Sequence, residues 1–474
     1  MWTLPSPWQA CTVAADVHWA GFGSTAGIET RRRQRLAALM AAARRSPLYR
    51  ERFARHGDAF EQQPPITKAE LMARFDDWVC DPRITLAGVQ AFLADARRIG
   101  TPFAGDHTVW ESSGSSGVPG IFVQDAAAMA VYDALEALRR PRPWNPWAEA
   151  FGEPPRTAFV GATGGHFAST VSVERLRRLV PGLAGRLRGF SFLQPTADLV
   201  RALNRWQPSV VATYPTAALL LAEEQAAGRL RLRLRELCTG GEALGDALRG
   251  AIATRFGCPV HASYGASEFL ALAAECPRRR LHLNADWVLL EAVDAHGRPV
   301  PPGTTGARTL LSNLANHVQP LIRYELGDRL RFDAAPCPCG LPLPVIEVQG
   351  RVDDALLLHD RHGRSVRLLP LALSTVLEDE AGVFSFQLLQ RGPRTLQLCV
   401  GGDAAALARA RAALQAYLRQ QGLDGLRLQA ACGPPAVRGR SGKLPRVVRC
   451  GPLSPGVRPP DLAQDQPRGA PTRA

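Results

Sequence analysis

The sequence lacks any apolar run of the length needed to cross a bilayer, about 18 residues or more. It also lacks the layout of a secretory leader, because the first 20 residues contain Pro5, Pro7 and Asp16 and no basic segment followed by an apolar one. We therefore expect a cytoplasmic protein that does not bind membranes. The chain of 474 residues is too long to fold around one ordinary hydrophobic core, so two or three domains are expected.

Lysine is almost missing, since Lys68 and Lys443 are the only lysines among 57 basic residues. The formal net charge is +14, but the arginines are spread along the whole chain and form no basic stripe interleaved with aromatic residues. This distribution favours solvated arginine faces over a nucleic-acid-binding surface. An ammonium is a compact point charge on a flexible stem, so a lysine in such a chain can mark a place where arginine would not serve.

The sequence also lacks a CxxC pair, although it has ten cysteines. A large cytoplasmic protein does not hold its cysteines as a disulfide framework, so most of them are expected to be small buried groups. Cys276, His282, Cys337 and Cys339 offer three thiolates and one imidazole, which suits a structural zinc site. Their spacing alone does not distinguish a zinc site from unrelated buried cysteines.

Short apolar stretches alternate with helical ones between residues 100 and 330, which is typical of an α/β protein with a mostly parallel sheet. The helix Thr216–Gly228 lies between two of the predicted strands. These strands are Thr157–Ala162, Val210–Tyr214, Arg235–Thr239 and Pro259–Tyr264. Residues 285–335 have strands with turn signals, and a strand–helix–strand unit with a helix near Asp403–Gln421 follows Gly350.

From this pattern we predict a large N-terminal α/β domain of mixed, mostly parallel sheets with helices over residues 1–350. A small, mobile α+β C-terminal domain is predicted over residues 351–453, and a Pro-rich disordered tail over 454–474. Near the N-terminus, a basic amphipathic helix over residues 30–56 is broken at Ser46-Pro47. Thr67 and Glu70 form a capping box, which places Lys68 on the first turn of a helix.

Five short motifs combine glycine with polar side chains, and each is weak alone because such residues are common in turns. The first contains Ser112, Ser113, Gly114, Ser115, Ser116 and Gly117. A loop of this composition can wrap an anion with its backbone N–H groups, and it is not a Walker A loop because no Gly-Lys-Ser/Thr ends it. The other four motifs are Tyr264–Glu268, Arg323–Asp328, Gly350–Asp354 and Gly439–Lys443.

The order of these motifs resembles that of the adenylate-forming superfamily of acyl-CoA synthetases, peptide-synthetase adenylation domains and luciferases. Within it, the sequence is most similar to the phenylacetate–CoA ligase group, over roughly residues 40–450. The resemblance implies activation of a carboxylic acid by ATP and Mg²⁺ to an acyl-adenylate. It further implies transfer of an aryl or arylacetyl group to coenzyme A.

The resemblance also implies a role for each motif. The Ser112–Gly117 loop covers the β- and γ-phosphates of ATP, and Glu268 helps to hold Mg²⁺. The expected contacts to the adenosine part are made by Gly240, Gly241, Glu242 and Tyr264 along the adenine, Asp328 at the ribose hydroxyls, and Arg351 as a further nucleotide contact. Asp353 corresponds to the hinge on which the C-terminal domain rotates.

Lys443 corresponds to the lysine that reaches into the site from the C-terminal domain. When a carboxylate attacks the α-phosphorus of ATP, negative charge grows on the phosphate and on the bridging oxygen. A mobile ammonium stabilises both charges in the closed state. We therefore expect Lys443 and Glu268 to carry the catalysis.

Two further sites are suggested by the same resemblance. Some members of the phenylacetate–CoA ligase group have a similar Cys–His–Cys–Cys arrangement, which favours the structural zinc site. His166 and Tyr214 each follow a predicted strand in the region where acyl pockets lie, although a histidine there is more often packed or capping.

The sequence departs from the family pattern at two places. Val118 stands where members commonly have lysine, so one expected phosphate contact is missing. A polar hairpin from His359 to Arg364 replaces the turn that helps to form the pantetheine tunnel. The sequence therefore does not decide whether the acyl acceptor is coenzyme A, an amine or a carrier-protein thiol. Two further alternatives for the function are nucleotidyl transfer alone and ligand or partner binding without catalysis. The sequence leaves the acid itself and the oligomeric state undetermined.

Overall fold

The computed structural model describes residues 7–112, 119–140, 155–242, 244–349, 356–368, 372–373, 376–383, 386–433 and 447–449. Within these ranges the chain is a mixed α/β protein, as predicted. None of the described helices is long and apolar enough to cross a membrane.

The described residues form the following α-helices, most of them in the first 260 residues. They are α1 (Pro7–Ala20), α2 (Thr25–Ala43), α3 (Pro47–His56), α4 (Lys68–Ala73), α5 (Phe75–Trp78), α6 (Leu86–Leu93), α7 (Ala126–Leu138), α8 (Ala168–Leu179), α9 (Pro181–Ala184), α10 (Thr196–Trp206), α11 (Pro215–Ala226), α12 (Asp246–Phe256) and α13 (Ala404–Gln420). Short 3-10 turns cover Phe60–Gln62 and Ala96–Arg98, and a π turn covers Val376–Glu380.

The strands form one large sheet and several small ones. They are β1 (Thr108–Glu111), β2 (Ile121–Gln124), β3 (Thr157–Gly161), β4 (Leu187–Ser191), β5 (Val210–Thr213), β6 (Glu236–Thr239), β7 (Val260–Ala266), β8 (Phe269–Glu275), β9 (Leu281–Leu283), β10 (Val288–Val293), β11 (Arg308–Asn313), β12 (Tyr324–Leu326), β13 (Arg329–Phe332), β14 (Val345–Gln349), β15 (Leu356–His359), β16 (Ser365–Leu368), β17 (Phe386–Gly392), β18 (Thr395–Val400), β19 (Arg427–Cys432) and β20 (Val447–Arg449).

The large sheet has the strand order β13-β14-β9-β8-β7-β6-β5-β3-β4. The pairs from β4 to β7 are parallel, and those from β7 to β13 are antiparallel. The carboxyl ends of β3, β5, β6 and β7 therefore meet at one edge, where ligands bind in open α/β sheets. Beside this sheet, β10-β11-β12 form a three-stranded antiparallel sheet and β1-β2 a hairpin.

The N-terminal helices begin where their capping residues predict. Ser46 caps α3, with Pro47 at its first position, so the helix predicted over residues 30–56 is broken at that point. The Thr67 hydroxyl accepts from the backbone N–H of Glu70 at 3.3 Å, and the Glu70 carboxylate accepts from the backbone N–H of Thr67 at 2.7 Å. The predicted capping box is therefore confirmed, with Lys68 as the first residue of α4.

The buried apolar side chains of the described residues form two hydrophobic cores. The first joins the N-terminal helices, β1, β2 and the antiparallel strands, with Trp78 and Trp110 among its fully buried side chains. The second surrounds the parallel strands and also includes residues of β15–β18, α13 and β20.

Among the described residues, polar contacts join the C-terminal segment to the N-terminal part of the chain. The Arg367 guanidinium lies 3.1 Å from the carboxylate of Glu223, and the Gln421 amide donates to the Leu193 carbonyl at 3.3 Å. The predicted boundary at residue 350, the hinge at Asp353 and the tail over 454–474 lie outside the described residues.

Candidate active site

The Tyr264–Glu268 motif ends β7 and turns the chain back into β8. Gly265 is required there, because a Cβ atom at this position would overlap the carbonyl oxygen of Leu270. The turn is held from two sides: the Trp110 indole donates to the Ser267 carbonyl at 2.8 Å, and the Asn313 amide donates to the Glu268 carbonyl at 2.9 Å. Trp110 and Asn313 are fully buried, so the backbone carrying Glu268 is anchored to the core.

Two tyrosine–carboxylate hydrogen bonds join this motif to the Arg323–Asp328 motif. The Tyr264 hydroxyl donates to Asp328 Oδ2 at 2.9 Å, and the Tyr324 hydroxyl donates to Glu268 Oε1 at 2.7 Å. Each motif thus supplies one tyrosine to the carboxylate of the other. The two carboxylates for which the sequence predicts roles in Mg²⁺ and ribose binding therefore belong to one site.

Arg323 holds the second motif in place. It has a left-handed backbone, with φ of 51°, and its guanidinium pairs with the Glu291 carboxylate at 3.0 Å. Its backbone carbonyl accepts from the N–H of Ile66 at 3.1 Å, and the N–H of Glu325 donates to the Ile66 carbonyl at 2.9 Å. The segment leading to α4 therefore runs beside β12.

The Gly240-Gly241-Glu242 segment follows β6, between the ends of β5 and β7. The Gly240 N–H donates to the Thr213 carbonyl at 3.2 Å. Gly241 has φ of 79°, and a Cβ atom there would lie 2.9 Å from the Tyr214 ring, so both its conformation and the space require glycine. Burial, and then the nearby Glu242 carboxylate, raise the pKa of Tyr214. The structure therefore brings the predicted adenine-binding segment and Tyr214 together.

Hydrogen bonds join Ser112 and Gly120 at the two ends of the Ser/Gly loop, and this pair forms the base of the loop. The Ser112 N–H donates to the Gly120 carbonyl at 2.8 Å, and the Gly120 N–H donates to the Ser112 hydroxyl at 2.8 Å. The Glu111 N–H donates to the His166 carbonyl at 2.9 Å, which joins this base to the segment after β3. The side chain of Lys68 lies across the same base, since a Cβ atom on Gly120 would be 3.0 Å from Lys68 Cδ.

His166 is buried, with 2% of its surface exposed. Its Nε2 lies 3.2 Å from the Asp95 carbonyl, and its ring packs on Phe92 at a centroid distance of 5.3 Å. Burial lowers the pKa of His166 below its ordinary value. The described contacts are those of a packed histidine that joins the segment after β3 to the turn following α6.

Several predicted site residues lie outside the described residues. These are Ser113, Gly114, Ser115, Ser116, Gly117, Val118, Arg351, Asp353 and Lys443.

Cys276, His282, Cys337 and Cys339 meet at the antiparallel side of the large sheet. Their ligand atoms all lie within 4.8 Å of one another. Cys276 Sγ is 3.9 Å from Cys337 Sγ, and Cys339 Sγ is 3.3 Å from His282 Nε2. His282 Nδ1 lies 2.9 Å from the Leu343 carbonyl, so Nδ1 carries the proton and Nε2 keeps its lone pair toward the thiols.

Two tight turns build this cluster. Arg279, with φ of 58°, lies in the turn between Cys276, which directly follows β8, and His282 on β9. Gly340, with φ of 84°, follows Cys339, and its N–H donates to the Cys337 carbonyl at 3.2 Å. Three thiols and one imidazole nitrogen converging in this way fit the donor set of structural zinc.

Sequence reasoning missed two residues of the site. Tyr324 was part of a recognised motif, but its pairing with Glu268, 56 residues away, carries no sequence signal. Lys68 was noticeable in the sequence because it is one of only two lysines. Its predicted position on the first turn of a helix accounted for it without a role in ligand binding. The structure adds its position beside the base of the Ser/Gly loop.

The comparisons with known proteins agree with this geometry. A family model described as AMP-binding enzyme matches residues 181–308, which include the Gly240–Glu242 and Tyr264–Glu268 segments. A search of curated proteins finds no match.

Solved structures of 2-hydroxyisobutyryl-CoA ligase are similar to this chain over 90–94% of its length. The open conformation in complex with 2-HIB-AMP and CoA has a TM-score of 0.53 at 21% identity, covering 90% of this chain and 92% of that one. The thioesterification state has a TM-score of 0.52 at 20% identity, covering 94% and 91%. The postadenylation state with 2-HIB-AMP has a TM-score of 0.51 at 21% identity, covering 90% and 89%. The chain therefore has the fold of an acyl-CoA ligase.

Proposed function

We propose that this protein activates a carboxylic acid with ATP to an acyl-adenylate, as an AMP-forming acid–thiol ligase of the adenylate-forming superfamily. The observation that carries the proposal is the reciprocal pairing of Tyr264 with Asp328 and of Tyr324 with Glu268. It brings the two motif carboxylates into one site at the sheet edge that also holds Gly240–Glu242. The family-model match and the acyl-CoA ligase fold support the same assignment.

In this function each group has a distinct task. Asp328 accepts hydrogen bonds from the ribose hydroxyls, and the segment after β6 lies along the adenine. Glu268 would hold the Mg²⁺ ion, which neutralises charge on the pyrophosphate. A buried carboxylate that is oriented by a tyrosine hydroxyl is the kind of oxygen donor that Mg²⁺ prefers, so the residues fit the group. Lys443 supplies the positive charge at the α-phosphate.

Lys68 adds a positive charge at the other end of the triphosphate. Its stem lies against Gly120 at the base of the Ser/Gly loop. In the sequence of this loop, Val118 occupies the position at which members of the resembled family commonly have lysine. We expect its ammonium to offset part of the charge of the β- and γ-phosphates.

For the acceptor, we propose coenzyme A, and for the acid an aryl or arylacetic compound. The 2-hydroxyisobutyryl-CoA ligase structures contain CoA in their complexes, which supports the thioester reaction. The hairpin β15–β16 turns at Asp360–Arg364, where the Asp360 carboxylate accepts from the backbone of Arg364 at 2.9 Å. Because this hairpin replaces the family's turn at the pantetheine tunnel, an amine or a carrier-protein thiol is the alternative acceptor.

We also propose that the Cys276–His282–Cys337–Cys339 cluster holds a structural zinc ion. Four donors from three segments would tie the β13–β14 loop to β8 and β9. Cys276 follows β8 and Glu268 precedes it, so the cluster lies at the opposite end of this strand from Glu268. Elemental analysis of purified protein checks the proposal, and protein without a stoichiometric metal would refute it.

Acid-dependent exchange of pyrophosphate into ATP tests the adenylation step. We expect exchange with at least one member of a panel of aryl, arylacetic and short hydroxy acids. An Asp328→Ala variant serves as the matched control, because it removes the proposed ribose contact. The adenylation proposal fails if the wild-type protein gives no acid-dependent exchange across the panel.

Product analysis then identifies the acceptor. The activating acid, radiolabelled, is incubated with ATP and either coenzyme A, hydroxylamine or a panel of amines. We expect an acyl-CoA thioester to accumulate in the first reaction. An amide formed faster than any thioester would favour the alternative.

A further inference from the structure

Tyr324 lies in a buried position from which it can set the direction of the Glu268 carboxylate. Its side chain is 3% exposed, and Glu268 is 8% exposed. The hydroxyl donates to Glu268 Oε1 at 2.7 Å, which is the usual length of a short hydrogen bond to a carboxylate.

The backbone at Glu268 is held by other groups. The Asn313 amide donates to the Glu268 carbonyl at 2.9 Å and to the Tyr132 hydroxyl at 2.8 Å. The Trp110 indole holds the neighbouring Ser267 carbonyl at 2.8 Å. The β7–β8 turn therefore has its own anchors, and the Tyr324 hydroxyl acts on the side chain that the turn presents.

Tyr324 is itself fixed from both sides of its strand. It pairs with Leu311 across β11–β12, and the Ile66 backbone runs beside it on the other side. A rigid tyrosine that donates to one carboxylate oxygen limits the rotation of the carboxylate. The plane of that carboxylate then keeps one orientation.

From this arrangement we propose that Tyr324 is a positioning residue for the divalent cation of the nucleotide, acting through Glu268. The inference rests on the proposed function, because it takes Glu268 as the carboxylate that holds Mg²⁺. Groups that orient a metal-binding carboxylate typically change metal affinity by about 10- to 100-fold when they are removed.

The test is a Tyr324→Phe variant, which keeps the buried ring and removes the hydroxyl. Calorimetry measures the affinity for ATP in EDTA and again in saturating Mg²⁺, for the wild type, the variant and a Tyr417→Phe control. Tyr417 is a buried tyrosine of α13 in the second core, outside the site. We expect the affinity in EDTA to be unchanged in all three proteins. The gain in affinity brought by Mg²⁺ should fall by about tenfold in Tyr324→Phe alone.

A double variant separates positioning from a general packing effect. In a Glu268→Gln background, which lacks the charged ligand, Tyr324→Phe should cause no further loss of the Mg²⁺-dependent gain. A merely structural tyrosine would lower ATP affinity equally in both backgrounds and also in EDTA, and that result would overturn the proposal. An unchanged Mg²⁺-dependent gain in Tyr324→Phe would overturn it as well. If the wild-type protein does not bind ATP at all, the proposed function is refuted together with this inference.

Discussion

The buried ion pair between Arg249 of α12 and Glu275 of β8 offers a quantitative test of the scaffold. The two residues are 6% and 5% exposed, and Arg249 Nη1 lies 3.0 Å from Glu275 Oε2. Arg249 Nη1 also donates to the Val260 carbonyl at 2.5 Å, and the Ala262 N–H donates to Glu275 Oε2 at 2.8 Å. The pair therefore ties α12 to β7 and β8 immediately before Cys276.

A Glu275→Gln substitution removes the charge and keeps an oxygen for the Ala262 N–H. It leaves the Arg249 guanidinium buried without its counter-ion, and removing one partner of a buried pair typically costs about 3–5 kcal/mol. At about 2–4 °C per kcal/mol for a large domain, the melting temperature should fall by about 6 °C or more. An Arg249→Met/Glu275→Gln variant removes both charges and should recover at least half of the loss, because no buried charge is left unpaired.

The double-mutant cycle consists of the wild type, Glu275→Gln, Arg249→Met and the double variant. Thermal unfolding of these four proteins measures the coupling energy between Arg249 and Glu275. The exposed pair of Arg44 and Asp58, 2.8 Å apart with both side chains more than half exposed, provides the control. An Asp58→Asn substitution there should change stability by less than about 1 kcal/mol. The reasoning is refuted if Glu275→Gln is as mild as Asp58→Asn, or if the double variant is no more stable than Glu275→Gln.

Three further outcomes are expected. Lys443→Ala should lower acid-dependent pyrophosphate exchange by about 100- to 1000-fold while ATP binding remains measurable, and equal exchange rates in variant and wild type would refute its role. Cys339→Ser should remove zinc from the purified protein, whereas Cys11→Ser, at an exposed position outside the cluster, should retain it; zinc retained by both would exclude Cys339 as a ligand. Burial lowers the pKa of His166, so below pH of about 6.5 the unfolded chain binds a proton that the folded protein does not. Stability should therefore fall as pH decreases through this range, and His166→Gln should reduce the difference in melting temperature between pH 7 and pH 5; an identical pH dependence in the variant would contradict the assignment.

Local signals account for the parts of the fold that were predicted correctly. The break at Pro47, the capping box at Thr67 and the strands of the parallel sheet depend on residues within a few positions of each other. The same holds for Gly265 and Gly241, whose segments lie at the ends of β7 and β6. The prediction did not place the change from parallel to antiparallel pairing at β7, because register and direction depend on distant partners.

The cluster of Cys276, His282, Cys337 and Cys339 likewise depends partly on the sequence and partly on the fold. The sequence supplied the four candidate ligands and the chemistry that would suit zinc, while their spacing left the site open. The structure brings the four ligand atoms together, and the metal itself stays a prediction.

By itself, the sequence determined the order of the motifs, the α/β class and the chemistry that each side chain can offer. These follow from composition and from short-range spacing. Only the tertiary structure decided which carboxylate meets which tyrosine, and that Lys68 lies beside Gly120. The physical reason is that these contacts join segments far apart in the chain, whose meeting depends on the packing of two sheets and a helix against a shared core. A hydrogen bond acts only over a short distance, so the one between Tyr324 and Glu268 forms only after the packing has brought the two side chains together.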